Sequence, residues 1–366
     1  MARYLVNDAN RVDARAKLTT AVISTLIGLQ ATEKKYIKAS SDASVTILKD
    51  TVICVGDSIF KTERDIVLNS TALDTGSFEV GKDYYIYVCD KGSGQDEEYK
   101  ISLNSTFPLG YNAVTSRKIG GFHYGDVRRT KADTLEPINT SGVAWGNGWE
   151  DNVYQGILPF SVWTLLHRPV ADVEGMVYCE SIGKWVDIYL TSTNYKSEYN
   201  ATAMTGSEGL MYYDWHEKVA RKTKKHPLSY LEFCSVADGS PNGRDDSNTY
   251  AWSHTSNSGR NKTGIIAKAV SSYGLKDCVG NVWEVGRDVS FSTQIYTGSG
   301  GAWNFKNATE VKKGAHYTAF NNDVHVTLHG GNWYAGASCG SRTVYCSDFL
   351  WNVNTHVGCR LACDSL

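Results

Sequence analysis

Two stretches decide the fold: YGLKDCVGNVWEVGRD at positions 273–288, and LHGGNWYAGASCGSRTVYCSDFLWNVNTHVGCRLACDSL at positions 328–366. The first holds Trp283 beside closely spaced glycines, and the second holds Trp333 directly after a Gly-Gly-Asn turn at 330–332. Tryptophan supplies a large apolar area, and glycine lets backbone segments pass close to one another. The pattern is typical of a domain that is held together with little regular secondary structure.

Working outward, the chain before these stretches has the polarity pattern of β-strands. SVTILKDTVICVGDSIF at 44–60, KDYYIYVCD at 82–90 and EEYKISLNS at 97–105 alternate with period two and are rich in β-branched and aromatic residues. Turn residues such as DKGSG separate them. This part of the chain is predicted to be a β-sandwich-like domain.

A polar, glycine-bearing stretch at 128–151 is predicted to contain a domain boundary. Beyond it, the apolar spacing predicts helices at 210–222 and 229–237. Ser229 and Glu232 have the spacing of a capping box, in which each side chain accepts from the other residue's backbone amide. The remainder is predicted to be loop-rich, and long loops on a scaffold usually carry function.

The first 40 residues are predicted to be a short amphipathic oligomerisation segment, because their apolar positions have little neighbouring chain to cover them. We expect symmetric association to bury these positions in a homotrimer. The mildly apolar stretch 19–29 follows several charged residues, so it is a poor signal peptide, and we expect assembly in the cytoplasm. The apolar positions that carry this expectation are Val22, Leu26 and Leu29.

Charge and hydropathy exclude two classes of partner. The chain has 366 residues, with 37 Lys and Arg against 39 Asp and Glu and a formal net charge of −2. Nucleic-acid binding relies on neutralising backbone phosphates, so we expect no nucleic-acid partner. No apolar run approaches the roughly 20 residues that span a bilayer, so we expect no membrane insertion.

Few side chains form a pattern that indicates catalysis or metal binding. His325 and His329 are four residues apart in a predicted strand, where that spacing is too long for two zinc ligands. The sequence has no P-loop. The nine cysteines have no paired spacing, and most are expected to be buried thiols. Arg342, Arg360 and Asp364 could form a buried ionic network.

The two deciding stretches together resemble the formylglycine-generating-enzyme-type branch of the C-type lectin fold. The resemblance implies an α+β chain with a C-type lectin-fold domain at 126–366, preceded by the β-sandwich-like domain at 41–125 and the trimerising segment at 1–40. Three separated blocks carry the resemblance in the expected order, and they comprise Gly274, Leu275, Asp277, Gly280, Asn281, Val282, Trp283 and Glu284, then Gly330, Gly331 and Trp333, then Gly358 and Arg360.

Within that branch, an oxidase of the formylglycine-generating type is one alternative. Such enzymes use two cysteines with four residues between them, whereas six residues separate Cys339 and Cys346 here. In addition, Cys359 stands where the enzymes have phenylalanine. No catalytic residue is therefore assigned, and the chain is expected not to be an enzyme.

The chain is more similar to the variable proteins of diversity-generating retroelements, which include phage receptor-binding proteins. This resemblance implies a phage or phage-like tail-fibre tip, located on the virion or a cell surface, that binds a host-surface protein or another macromolecular receptor. A plain lectin-fold adhesin without diversification stays open as an alternative.

The same resemblance implies a variable region at about 328–366, in which selected positions are randomised and the residues between them are fixed. The mixture of Tyr, Ser, Asn, His and Phe at the selected positions is also typical of binding surfaces. The residues expected to be fixed are Gly331, Trp333, Gly336, Gly340, Ser341, Arg342, Gly358 and Arg360. The positions expected to vary and to bind the ligand are Tyr334, Ala335, Ser338, Tyr345, Ser347, Asp348, Phe349, Asn352, Asn354 and His356.

No cofactor is expected to be required, although a structural calcium ion is possible. C-type lectin folds often hold one, and Asn281, Val282 and Asp288 offer oxygen donors in the matching strand. The chain lacks a Glu-Pro-Asn-like motif, so calcium-dependent sugar binding is not implied.

Overall fold

The computed structural model describes residues 28–92, 97–139, 148–244, 247–291, 301–304, 316–319 and 324–366. The chain is mostly β-structure with a few short helices, and it divides into two compact units. Unit 1 comprises the described residues up to Gly125 together with Gly156–Arg168. Unit 2 comprises Asp126–Gln155 and Pro169–Leu366.

The first eleven strands form three sheets, with strand orders β1-β4-β5, β2-β3-β6 and β10-β9-β7-β8, and β11 pairs with β9. Two of the predicted strands, at 82–90 and 97–102, occur as β7 and β8 and pair antiparallel. The strands are β1 (Leu29–Gln30), β2 (Ile37–Ser41), β3 (Ser44–Ile47), β4 (Val52–Val55), β5 (Ser58–Lys61), β6 (Ile66–Leu68), β7 (Lys82–Asp90), β8 (Glu97–Ser102), β9 (Ser116–Arg128), β10 (Val153–Ile157) and β11 (Trp163–Thr164).

The N-terminal segment differs from the sequence prediction at Leu29. Leu29 lies in β1, pairs with Ile53 of β4 and is only 1% exposed. Its own chain covers it, so the expected uncovered apolar face is wrong at this position. Val22 and Leu26 lie outside the described residues.

The return of Gly156–Arg168 to unit 1 also departs from the single domain expected at 126–366. The backbone amide of Leu158 donates to the carbonyl of His123 at 3.0 Å, and Trp163 pairs with Gly121. Apolar side chains of this segment, including Ile157, also join the core of unit 1. Polarity alone did not reveal that this short segment packs on strands formed much earlier in the chain.

Unit 2 is built on a four-stranded sheet of order β12-β13-β21-β14 and a six-stranded sheet of order β16-β17-β19-β18-β15-β20. In the larger sheet, β15 pairs parallel with β20, and β17 pairs parallel with β19. The strands are β12 (Met176–Cys179), β13 (Lys184–Asp187), β14 (His226–Pro227), β15 (Trp283–Phe291), β16 (Gly301–Asn304), β17 (His316–Ala319), β18 (Val324–His329), β19 (Val344–Asp348), β20 (Val357–Gly358) and β21 (Leu361–Cys363).

Both predicted helices occur. The first is continuous helix made of α1 (Tyr212–Asp214), a π-helical turn (Trp215–Val219) and α2 (Ala220–Thr223). The second is α3 (Tyr230–Val236), which begins with the predicted capping box. Within the described part of the chain, no helix has the length and apolar character needed to span a bilayer. Single 3₁₀ turns occur at Ser70–Ala72, Trp149–Asp151, Pro159–Ser161, Gly206–Glu208 and Gly336–Ser338.

The expected ionic network near the C-terminus has a different composition. Arg360 is buried and pairs with Glu284, with Nη2 to Oε1 at 3.0 Å. Arg342 is exposed instead of fixed in the core, and the Asp364 side chain is exposed and 3.8 Å from Lys184. Alternation of polar and apolar residues could not identify Glu284 as the partner, because it lies in β15, far from Arg360 in sequence.

Candidate binding site

The candidate site lies in unit 2, where the chain leaves β18, turns, forms β19 and then loops back to β20. Gly330 and Gly331 have φ values of 84° and 97°, which only glycine adopts without strain. A Cβ at Gly331 would also collide with Cys339. These two glycines allow the chain to turn sharply, so that Trp333 is buried and the next residue, Tyr334, is exposed.

A parallel pairing brings the end of the loop to the sheet. Trp283 of β15 pairs with Val357 of β20, and its backbone amide donates to the carbonyl of His356 at 2.9 Å. Trp283 is 5% exposed and, like Trp333, is a core residue as predicted.

The expected variable positions are more exposed to solvent than most of the expected fixed ones. Of the fixed set, all are buried except Arg342. Of the variable set, Tyr334 is 44% exposed. The others are half-buried, and they are Ala335, Ser338, Tyr345, Ser347, Asp348, Phe349, Asn352, Asn354 and His356.

Six of the ten expected variable residues meet around one pocket of about 350 Å³. Ser338, Ser347, Phe349 and Asn352 are not among its lining residues. The residues that line it are Trp283, Leu328, Asn332, Tyr334, Ala335, Tyr345, Asp348, Asn354 and His356.

Aromatic rings form much of the pocket. The rings of Tyr334 and His356 meet edge to face, with centroids 5.8 Å apart, and each also contacts Trp333 at 5.9 Å. Trp283 and Tyr345 form a second pair at 5.8 Å. Burial lowers the pKa of the His356 imidazole below its usual range, so this ring is neutral at pH 7.

A hydrogen-bond network fixes the polar side of the pocket. The hydroxyl of Tyr212 donates to Oδ2 of Asp348 at 2.8 Å, and Asn354 Nδ2 donates to the Tyr212 hydroxyl oxygen at 2.6 Å. Asn354 Nδ2 also lies 3.3 Å from Asp348 Oδ2. Burial, together with the neighbouring Asp348 carboxylate, raises the pKa of Tyr212, so the phenol stays protonated and acts as a donor.

Backbone bonds hold the loop 349–356 against the helical segment before it. The amide of Tyr212 donates to the carbonyl of Asn352 at 3.1 Å, and the amide of Gly206 donates to the carbonyl of Asn354 at 3.0 Å. The loop is therefore positioned by residues outside the expected variable region. Sequence analysis missed Tyr212, because nothing in its surroundings indicates a contact with a residue 136 positions later.

A second aromatic cluster extends the site beyond the pocket. The rings of Phe349 and Trp351 stack with centroids 5.1 Å apart and an interplanar angle of 1°, and Phe349 also contacts His325. Trp351 is 62% exposed and Val353 is 50% exposed. Sequence analysis omitted both, although an exposed tryptophan in a polar loop is itself a signal for binding.

The two cysteines considered for oxidase chemistry are buried, and each is a thiol rather than half of a disulfide. The Cys339 thiol donates to the carbonyl of Asn332 at 3.3 Å. Burial raises the pKa of Cys346 to about 11, which disfavours the thiolate that a nucleophile or metal ligand requires.

The three residues suggested for calcium have separate structural roles. Asn281 Oδ1 accepts from the amide of Asn261 at 2.9 Å, whereas Asp288 Oδ2 accepts from the amide of Tyr230 at 2.7 Å. Val282 packs in the core. Asp288 lies five positions after Trp283 in β15, a span of roughly 16 Å at the usual strand rise. Across the described ranges, no group of three His, Cys, Asp or Glu side chains could hold a metal ion.

Comparisons with known proteins agree with this architecture. Residues 35–150 match the family model described as the Mtd second domain. Over 357 residues the chain is 26% identical to the tail fiber receptor-binding protein of Bordetella phage BPP-1, covering 89% of this chain and 81% of that protein.

Solved structures extend the likeness to the fold. The Major Tropism Determinant I1 variant superposes with a TM-score of 0.67 at 23% identity, covering 92% of this chain and 86% of that one. The P3c variant gives a TM-score of 0.66 at 23% identity, covering 92% and 86%. The resemblance predicted from the sequence is confirmed: this chain has the fold of the Major Tropism Determinant variants and contains a match to the Mtd second domain.

Proposed function

We propose that this chain is the receptor-binding protein of a phage or phage-like tail fibre, and that it binds a host-surface protein or another macromolecular receptor through the loop face of unit 2. The observation that carries the proposal is the face itself. Six of the ten expected variable side chains line one pocket, while all of the expected fixed residues except Arg342 are buried. Similarity to a tail fiber receptor-binding protein supports the same role.

Adsorption to bacterial cells tests the proposal. Purified protein, labelled and titrated onto a panel of bacterial strains, should bind some strains saturably. Trp351→Ala should weaken that binding at least tenfold, because aromatic side chains that a partner buries contribute much of the binding energy in most interfaces. Leu231→Ala is a matched control, since Leu231 is an exposed apolar residue of α3 and lies outside the loop 349–356. Equal loss in both variants, or none in either, would contradict the proposed face.

Diversification of the face by a retroelement belongs to the same proposal. We expect the half-buried positions to tolerate different side chains better than the buried fixed residues, which carry the packing. Sequencing the DNA beside the gene is the direct test. A near-copy of the 3′ end together with a reverse-transcriptase gene is expected, and their absence would favour a plain lectin-fold adhesin.

The proposed assembly is a homotrimer on the virion, formed after synthesis in the host cytoplasm. Leu109 and Val114, both 70% exposed in one loop of unit 1, are apolar surface that association would cover. Several linked sites would raise weak single-site binding by about 10²–10⁴ without new contacts. Light scattering of the full chain should give three times the chain mass, and a monomer at micromolar concentration would reject the trimer.

The proposed function includes no catalytic step and requires no cofactor. The buried, protonated state expected for Cys346 supports this view. Incubation with copper and a cysteine-containing peptide should leave the peptide unchanged. Aldehyde formation that disappears in a Cys339→Ser and Cys346→Ser double variant would favour an oxidase instead.

A further inference from the structure

The charge of the pocket in unit 2 indicates what it can bind. Asp348 is the only acid among its lining residues, and none of them is lysine or arginine. The single negative charge therefore has no cationic side chain to neutralise it within the lining.

The Asp348 carboxylate is held in a fixed orientation with one oxygen left over. Oδ2 accepts from the Tyr212 hydroxyl and lies within 3.3 Å of Asn354 Nδ2. Oδ1 makes no hydrogen bond to any residue that the structure describes, and the side chain is half-buried at the pocket. Both donors are neutral, so they orient the carboxylate without supplying a positive charge that would pair with it.

The aromatic lining favours the same kind of ligand. Trp283, Tyr334, Tyr345 and neutral His356 surround the space beside the carboxylate. The negative face of an aromatic ring attracts a cation whose charge lies within about 6 Å of the ring centroid, and this attraction is strongest where water is partly excluded. The volume of about 350 Å³ lies at the lower end of the range for small-ligand pockets, so it suits one side chain rather than an extended segment.

We infer that this pocket binds a cationic side chain, arginine or lysine, presented by the receptor, with Asp348 as its ion-pair partner and the surrounding rings as its walls. The inference rests on the proposed function, which it deepens by naming the chemistry of the group that is recognised. The cation would use Asp348 Oδ1, while Oδ2 keeps its bonds to Tyr212 and Asn354.

The test uses the intact chain and three capped amino acids. N-acetyl-arginine amide and N-acetyl-lysine amide supply the cation, and N-acetyl-citrulline amide supplies the shape of arginine without its charge. Titrations followed by chemical-shift changes in protein NMR spectra should give millimolar binding for the two cations. Citrulline should bind at least tenfold more weakly. Equal binding of arginine and citrulline would overturn the inference.

Two variants and one control locate the effect. Asp348→Asn keeps an oxygen to accept from Tyr212 but removes the charge, so it should weaken arginine binding at least tenfold and leave citrulline binding unchanged. Tyr345→Leu removes one ring and should weaken the binding of both cations several-fold. This variant provides the test if Asp348→Asn does not fold. Ser338→Ala is the control, because Ser338 does not line the pocket. Arginine binding that is unchanged in both pocket variants would place the cation elsewhere and reject the site.

Adsorption to bacterial cells separates this inference from the proposed function. If the chain adsorbs to cells through Trp351 but binds arginine and citrulline equally, the proposed function is supported and the cation pocket is rejected. If the chain selects arginine through Asp348 but Trp351→Ala leaves its adsorption unchanged, the cation pocket is supported and the proposed receptor-binding face is rejected.

Discussion

Arg360 and Glu284 form a buried ion pair in which Nη2 and Oε1 are 3.0 Å apart. The same guanidinium donates through Nη1 to the carbonyls of Asp187 and Ile188, at 2.8 and 2.6 Å. Glu284 follows Trp283 in β15, and Arg360 lies between β20 and β21. One side chain near the C-terminus thus ties together three distant parts of unit 2, beside the strand that supports the pocket.

Replacing Arg360 should destabilise unit 2 strongly. Arg360→Met leaves the Glu284 carboxylate buried without a partner, and breaking a buried pair in this way costs about 3–5 kcal/mol. Urea unfolding followed by tryptophan fluorescence measures the loss. Arg342→Met is the control, since Arg342 is exposed and its loss should change the free energy of unfolding by less than about 0.5 kcal/mol. Similar values for the two variants would refute the structural role of the pair.

Two tryptophans should behave in opposite ways. Trp283→Ala removes a core side chain that also lines the pocket, so we expect a cost of roughly 3–5 kcal/mol from cavity formation. Trp351 is mostly exposed, so Trp351→Ala should leave thermal unfolding nearly unchanged while it reduces binding to cells. Thermal melts and adsorption assays on both variants check this. A large loss of stability in Trp351→Ala would mean that the residue belongs to the core rather than to the binding face.

The sequence predicted the elements whose cause is local. The strand pattern at 82–90 and the capping box at Ser229 and Glu232 arise from residues that are neighbours in the chain, and both occur where expected. The resemblance predicted which residues between 331 and 360 are fixed, and the structure buries all of them except Arg342. Arg342 is the exception, since an arginine beside Gly340 and Ser341 can turn outward without disturbing either.

The parts that could not be predicted depend on contacts between distant segments. Tyr212 meets Asp348 only because β19 and the helical segment pack together, and no local pattern at Tyr212 indicates this. Leu29 has the spacing of an uncovered apolar face, but pairing with Ile53 buries it. Trp351 is exposed but is absent from the expected binding residues. Those residues were assigned by position from the resemblance, and such an assignment cannot show that Trp351 stacks on Phe349.

Acid should destabilise the chain through His329. Burial lowers the pKa of His329 to about 3, whereas an unfolded histidine titrates near 6.5. The unfolded state therefore binds a proton first, so the stability from neutral His329 is fully present above about pH 6.5 and is lost progressively as the pH falls toward 3. Urea unfolding from pH 7 to pH 4 measures it. His329→Gln should show a shallower loss than the wild type, and parallel curves would show that His329 does not contribute.

Calcium should have no effect on stability. Asn281 and Asp288 each accept from a different backbone amide, and Asp288 lies within β15 whereas Asn281 precedes this strand, so we expect them not to share one cation. If a calcium site existed, free calcium at a hundred times its Kd would add about 2.7 kcal/mol to the free energy of unfolding. We expect the same Tm in millimolar calcium and in excess EDTA. A rise in Tm with calcium that disappears in Asp288→Asn would place a metal site at this strand after all.

Tyr212 should couple to Asp348 in stability and position the carboxylate for binding. Tyr212→Phe removes the hydroxyl that donates to Asp348 Oδ2 and accepts from Asn354, so a loss of about 1–3 kcal/mol is expected for a buried hydrogen bond to a charged group. Asp348→Asn and the variant that carries both substitutions complete a double-mutant cycle. Because the two residues are in contact, the cycle should give a coupling energy of at least about 0.5 kcal/mol. Binding of N-acetyl-arginine amide should weaken in Tyr212→Phe, because the carboxylate then becomes free to rotate. A coupling energy near zero, with unchanged binding, would show that the Asp348 carboxylate is oriented by other groups and that the network does not shape the pocket.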